Sequence, residues 1–177
     1  MRLVPEMPLP PYSFVPGRSP HPVSDPAGHS QGITPAPVAP INPDHWRESR
    51  DYLRAIDLFN HGYYWEAHEA WEGLWHAVGR RGLLADFLKG LIKLAAAGVK
   101  VREGKPRGVA SHAGKAAVLF TEVAGALGSG PFLGLVPQEL ADRARDIEAQ
   151  AATLRVDSEA PVVVVFDFVL WPSEGIQ

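Results

Sequence analysis

The chain has no cysteine. That excludes a disulfide framework, a zinc ribbon, an iron-sulfur cluster and a thiol nucleophile, and it leaves any metal to histidine and carboxylate ligands. Long apolar runs are missing too, since no stretch approaches the roughly 18 residues of a membrane span. The start, Met1-Arg2-Leu3-Val4-Pro5-Glu6, lacks a secretory apolar core. The expected location is therefore cytoplasmic, with no membrane partner. Neither sign of charge dominates: 17 Lys plus Arg stand against 20 Asp plus Glu, a net charge of -3, with a pI near 6.1. No global footprint for nucleic acid results, and no such partner is expected. No serine is read as a Gly-x-Ser-x-Gly nucleophile, and no phosphate-binding glycine loop or dinucleotide fingerprint is read either. What is present is 177 residues, 46% of them hydrophobic, and seven histidines, enough for one soluble domain with an ordinary core.

Three parts follow from composition. Twelve of the 17 prolines fall in residues 1–43, which excludes helix and central strand there and predicts an extended arm. Its order, Pro11-Tyr12-Ser13-Phe14-Val15-Pro16-Gly17-Arg18-Ser19-Pro20-His21-Pro22, is not low-complexity, which favours an arm docked on the domain over a disordered tail. Residues 44–156 read as a helical domain. Asn42 with Pro43 signals a helix start, and Trp46, Tyr52, Leu53, Ile56 and Phe59 share one arc to about Asn60, with Asp57 outside it. Further helices are expected from Tyr63 to Val78, Leu83 to Glu103, Arg107 to Leu127, and after Pro137. Short glycine and proline turns separate them. The predicted fold is all-α, a compact bundle of about five amphipathic helices. Residues 157–177 form an extended apolar tail. Its Val162-Val163-Val164-Val165-Phe166-Asp167-Phe168 has strand propensity but no evident partner strand. Docking on the same chain is the preferred reading, with pairing to the arm or to a twin in a homodimer as alternatives.

Polar information is densest in the second helix. At about 100° per residue Trp65, His68, Glu69, Glu72, Trp75 and His76 share an arc of roughly 120°. Two indoles on it predict partial cover by another segment. A divalent metal would use His68 with Glu72, or Glu72 with His76, because residues four apart stand one above the other. His68 and His76, roughly 12 Å apart along the axis, cannot share an ion. Further ligands would come from His112 on the fourth helix, or from His21 and His29 in the arm. The spacing is neither His-Glu-x-x-His nor the paired Glu-x-x-His of di-iron bundles. The competing reading is a polar network joining His68, Glu69 and Glu72 to Lys89 or Lys93 of the third helix. For His112 alone a satisfied core residue is expected. The lysines themselves read equally as a solvated face. Glu69 and Glu72 are the candidates for carboxylate catalysis, one neutral and one charged in a dry site.

Two linked motifs, Phe59-Asn60-His61-Gly62-Tyr63-Tyr64-Trp65-Glu66-Ala67-His68-Glu69-Ala70-Trp71-Glu72 and Phe87-Leu88-Lys89-Gly90-Leu91-Ile92-Lys93, resemble the small helical bacterial and archaeal proteins grouped as domain of unknown function 309. The resemblance covers about Phe59 to Leu127. It implies an all-α core and carries no activity. The family pattern falls on Asn60, Gly62, His68, Glu69, Glu72 and Trp75, and on Gly90, Leu91 and Ile92. Lys89 and Lys93 stand where similar proteins often have Gln, which favours ion pairing with the glutamates over a neutral site. Gly104-Lys105-Pro106-Arg107-Gly108 is similar to the family's Gly-Asn turn, and the arm's Phe14 to Ser30 to an extension of some members.

The expectation is a helical domain of unknown biochemical function. Its His-Glu-Trp face organises the bundle or receives a small ligand or a partner segment. The alternative is a metal-dependent hydrolase built on His68, Glu69, Glu72 and His76 with His21 and His29 closing over it.

Overall fold

The computed structural model describes residues 1–173; the last positions of the expected tail, 174–177, lie outside the described residues. Five α-helices succeed one another: α1 Arg50–Asn60, α2 Tyr64–Ala77, α3 Leu83–Arg102, α4 Pro106–Leu127 and α5 Pro137–Gln150. Each packs against the next, the arrangement that short turns between amphipathic helices dictate. The described residues are helical wherever they are regular, apart from a single antiparallel bridge between Phe132 and Leu135. No described helix is long and apolar enough to cross a membrane.

The first helix differs from its expected course. Pro43–Glu48 forms a 3-10 helix, which begins at the expected Asn42 cap, where Oδ1 accepts from the Asp44 amide. Ser49 then turns extended (φ -77°, ψ 95°), and its side chain accepts from the Tyr52 amide to start α1. The Ser49 hydroxyl thus takes an amide that a continuous helix would give to the carbonyl of residue 48, which is how serine ends one helix and caps another.

α3 is the central element, buried on both flanks by α2 and α4. Close approach depends on its glycines. A Cβ at Gly98 would lie 2.6 Å from the Tyr64 ring, and one at Gly90 2.6 Å from the Phe120 ring. Trp71, Tyr52, Phe59, Phe87 and Leu91 fill the space between helices with essentially no exposure. A buried aromatic or aliphatic side chain of this size contributes about 1.5–3 kcal/mol of burial free energy.

Two extended segments complete the surface. The arm buries Val4, Phe14, Val15 and Ile41 and lays Val38 against Gly73 of α2. The segment Val162 to Phe168 forms no strand. Phe166 stacks on Phe59 with centroids 5.8 Å apart, and Phe168 lies 6.1 Å from the same ring. Its Val165 amide bonds the Tyr64 hydroxyl instead of a ladder partner.

Candidate functional site

Asp57 is the clearest departure from the sequence pattern. It lies outside the apolar arc of α1, yet its exposure is 0%. The arm covers it: Oδ1 accepts from the Leu3 amide at 2.8 Å and Oδ2 from the Val4 amide at 2.9 Å, with Arg2 Nε 3.7 Å away. A buried carboxylate persists only with such donors.

Glu66, one helix on, does the same. Its Oε1 accepts from the Phe14 amide at 2.8 Å and its Oε2 from the Ser13 hydroxyl at 3.0 Å. His29 Nε2 stands 3.2 Å from Oε1, and His29 Nδ1 stands 2.9 Å from Ser30 Oγ. Because a carboxylate only accepts, the imidazole donates to Glu66 through Nε2. The carboxylate-imidazole-hydroxyl chain has the form of a nucleophile relay, and Gly28-His29-Ser30-Gln31-Gly32 has Gly-x-Ser-x-Gly spacing. It sits in the turns of the arm, whereas that motif presents its serine between a strand and a helix.

The tail is held by Asn60 and Tyr64, which flank the turn of the α1–α2 hairpin. Asn60 Nδ2 donates to the Leu170 carbonyl at 2.8 Å while Oδ1 accepts from the Leu170 amide at 2.7 Å. The Tyr64 hydroxyl accepts from the Val165 amide at 2.9 Å. Burial pushes that phenol up to about 12, against the opposing pull of the Val165 and Phe166 amides and of Arg102, so it is neutral at physiological pH. Gly62 has φ 87°, which a side chain rarely adopts, and a Cβ there would meet the Val163 carbonyl oxygen at 2.7 Å. Arm and tail meet where the Ser13 amide donates to the Pro161 carbonyl at 3.0 Å.

The His-Glu-Trp arc of α2 faces the other way. Ala67, Trp71 and Leu74 form the core side of that helix, so the opposite arc turns outward. His68 Nδ1 lies 3.3 Å from Glu69 Oε1, with the two side chains 27% and 46% exposed. His68, Glu69 and Glu72 each offer a ligand atom, all within 4.8 Å of one another. His76 is exposed and packs its ring edgewise on Trp75.

The expected bonds from this cluster to Lys89 and Lys93 do not form among the described residues: Lys89 is exposed, and neither lysine makes an ion pair. The carboxylates that are buried and bonded in α1 and α2 are Asp57 and Glu66. Lys93 is lowered chiefly by burial, then by Lys115 and Lys89, with Glu72 opposing. His112 is half-buried, and its Nδ1 has no partner; it is not the satisfied core residue expected. Burial and then Lys93, Lys100, Lys115 and His68 lower its pKa, and it does not join the three ligand atoms.

Nor do the arm histidines close over the cluster. His29 is bound to Glu66. His21 accepts from the Val23 and Ser24 amides through Nδ1 and stacks edgewise on Phe14 and Trp65. Trp65 is thereby half-covered by the arm, the partial cover expected for an indole on this arc.

Residues 52–112 match the family model described as Domain of unknown function (DUF309). This segment belongs to the DUF309 family. Neither the curated proteins nor the solved structures give a match. The DUF309 segment spans nearly all of α1, all of α2 and α3, and α4 as far as His112. Asp57, Asn60, Tyr64, Glu66 and the His68 cluster lie inside it. Both extended segments lie outside it, so the contacts with arm and tail join the DUF309 core to chain beyond the family match.

Asp57 and Glu66 escape a reading of periodicity, because a carboxylate on the flank of a helix looks the same whether it faces water or a docked segment. The signal available was the turn itself: an Asp, an Asn, a Tyr and a Glu within ten positions of a glycine hairpin.

Proposed function

We infer that the protein is a non-catalytic binding domain that captures extended polypeptide by its backbone, acting in the cytoplasm on a partner segment. One observation carries the reading. Asp57, Asn60, Tyr64 and Glu66, all on the α1–α2 hairpin, each hydrogen-bond at least one main-chain group of an extended segment. Backbone recognition gives affinity with modest dependence on sequence. In this chain the occupants are its own arm and tail, so a partner segment would compete with them. Phe166 and Phe168 of the tail pack on Phe59 of the same chain, which favours capture in cis over pairing with a second copy.

A full-length variant with a protease site in the exposed stretch 31–37 tests this. After cleavage the arm is expected to stay on the bundle through gel filtration and to exchange with an added synthetic peptide of residues 1–30. Immediate separation of the severed arm, with no rebinding, contradicts the reading.

A second reading rests on the His68-Glu69-Glu72 cluster, whose donor atoms can meet one divalent cation. Two carboxylates and an imidazole on an outward helix face suit cation binding better than acid-base chemistry, which gains from a dry site. Elemental mass spectrometry on untagged protein, purified without chelator, is its test. About one equivalent of metal, lost in His68→Ala, supports it; no metal in the wild type contradicts it.

A further inference from the structure

A cleft of about 300 Å³ lies where the arm, the end of α3 and the start of the tail converge, lined by Tyr12, Arg18, Ser19, Arg102, Ser158 and Glu159, among others. Its volume is at the lower end of small-ligand pockets, roughly 300–1,000 Å³. Arg102 is only 5% exposed. Its Nη2 donates to the Ala160 carbonyl at 3.0 Å, while Nε and Nη1 have no partner.

A buried guanidinium ordinarily has a carboxylate beside it. Here, among the described residues, neither Arg102 nor Arg18 makes an ion pair; Glu159 lines the cleft without reaching either. The neighbouring phenol of Tyr64 is neutral. The charge that bears on Arg102 from the arm is a second cation: burial and then Arg18 pull its guanidinium below the ordinary arginine value.

We propose that this cleft binds a phosphate group, with Arg18 and Arg102 as its two cationic arms. Two guanidiniums carried by different segments, the arm and α3, line the same cleft, which suits a tetrahedral dianion. A planar carboxylate is satisfied by one bidentate fork. The Ser158 hydroxyl, which accepts from the Ala160 amide, keeps its proton free to donate. Because the walls come from arm, helix and tail, a bound phosphate ties the two extended segments to the core and relieves the Arg18–Arg102 repulsion.

Titration calorimetry of the full chain with inorganic phosphate, against chloride at equal ionic strength, tests the proposal. One phosphate per chain is expected, with a rise in Tm that chloride does not give. Arg18→Gln, at an exposed position, is expected to fold normally and to weaken binding by about tenfold. Arg102→Gln should abolish binding, and should that variant not fold, Arg18→Gln decides alone. Phenyl phosphate in parallel separates a site for free phosphate from one for phosphate esters; tighter or equal binding supports the phosphate assignment in either form. No heat beyond the chloride control, or wild-type affinity in Arg18→Gln, overturns it.

Discussion

Asn60 grips Leu170 by both ends of its backbone, donating from Nδ2 to the carbonyl and accepting at Oδ1 from the amide. The asparagine side chain imitates a peptide group, so a helix end is joined to an extended segment that has no sheet to join.

Asn60→Ala removes both bonds and leaves a half-buried amide and carbonyl to find water. The expected loss is about 1–3 kcal/mol in urea denaturation, with faster proteolysis confined to the tail. Asn60→Asp keeps the acceptor, loses the donor and should fall between Ala and wild type.

Glu66→Gln replaces one acceptor oxygen by an amide group that faces the Phe14 amide or the Ser13 hydroxyl, and it weakens the tie to His29. Bonds to an ionised acceptor are the stronger kind, so a loss of about 2–3 kcal/mol is expected. Limited proteolysis should then cut between Tyr12 and Ser30 before any cut in the helices appears.

The helices were largely legible in the sequence, because their apolar arcs and their glycine and proline stops are local signals. The break at Ser49 was not, because the arc from Trp46 through Tyr52 to Phe59 continues across it, and one serine side chain decides the backbone. The outward cluster was legible as a set of residues, though not in its direction. Arcs on α2 tell which residues share a face; that Ala67 and Trp71 take the core side follows from packing between helices, as where Gly98 of α3 lets the Tyr64 ring approach. The captured segments were legible only as extended chain, since which carboxylate meets which amide is a long-range fact.

Gly62→Ala puts a methyl group 2.7 Å from the Val163 carbonyl oxygen at a φ of 87°. Both the strained backbone and the displaced tail cost stability, together about 2 kcal/mol or more in a chemical melt. An equal loss is not expected at Gly79, where φ is 83° but nothing lies within 4 Å.

His112 makes stability depend on pH. Its folded pKa is lowered from 6.5 by burial and by Lys93, Lys100, Lys115 and His68. Below 6.5 the unfolded chain therefore takes up a proton that the folded chain refuses. Its contribution is complete above the unfolded value and is lost as pH falls towards the folded one. In urea melts at pH 7.5 and pH 5.5, His112→Gln should lose less stability on acidification than wild type. An equal loss in both would contradict the assignment.

Amide hydrogen exchange on the intact wild-type chain reads backbone capture directly. Val4 and Phe14 of the arm and Val165 and Leu170 of the tail have no helix or sheet partner, and each donates to a side chain of the α1–α2 hairpin. The account predicts slow exchange at all four, lost at Phe14 in Glu66→Ala and at Leu170 in Asn60→Ala. Exchange at the rate of free peptide at these amides, while the α3 amides stay protected, would contradict it.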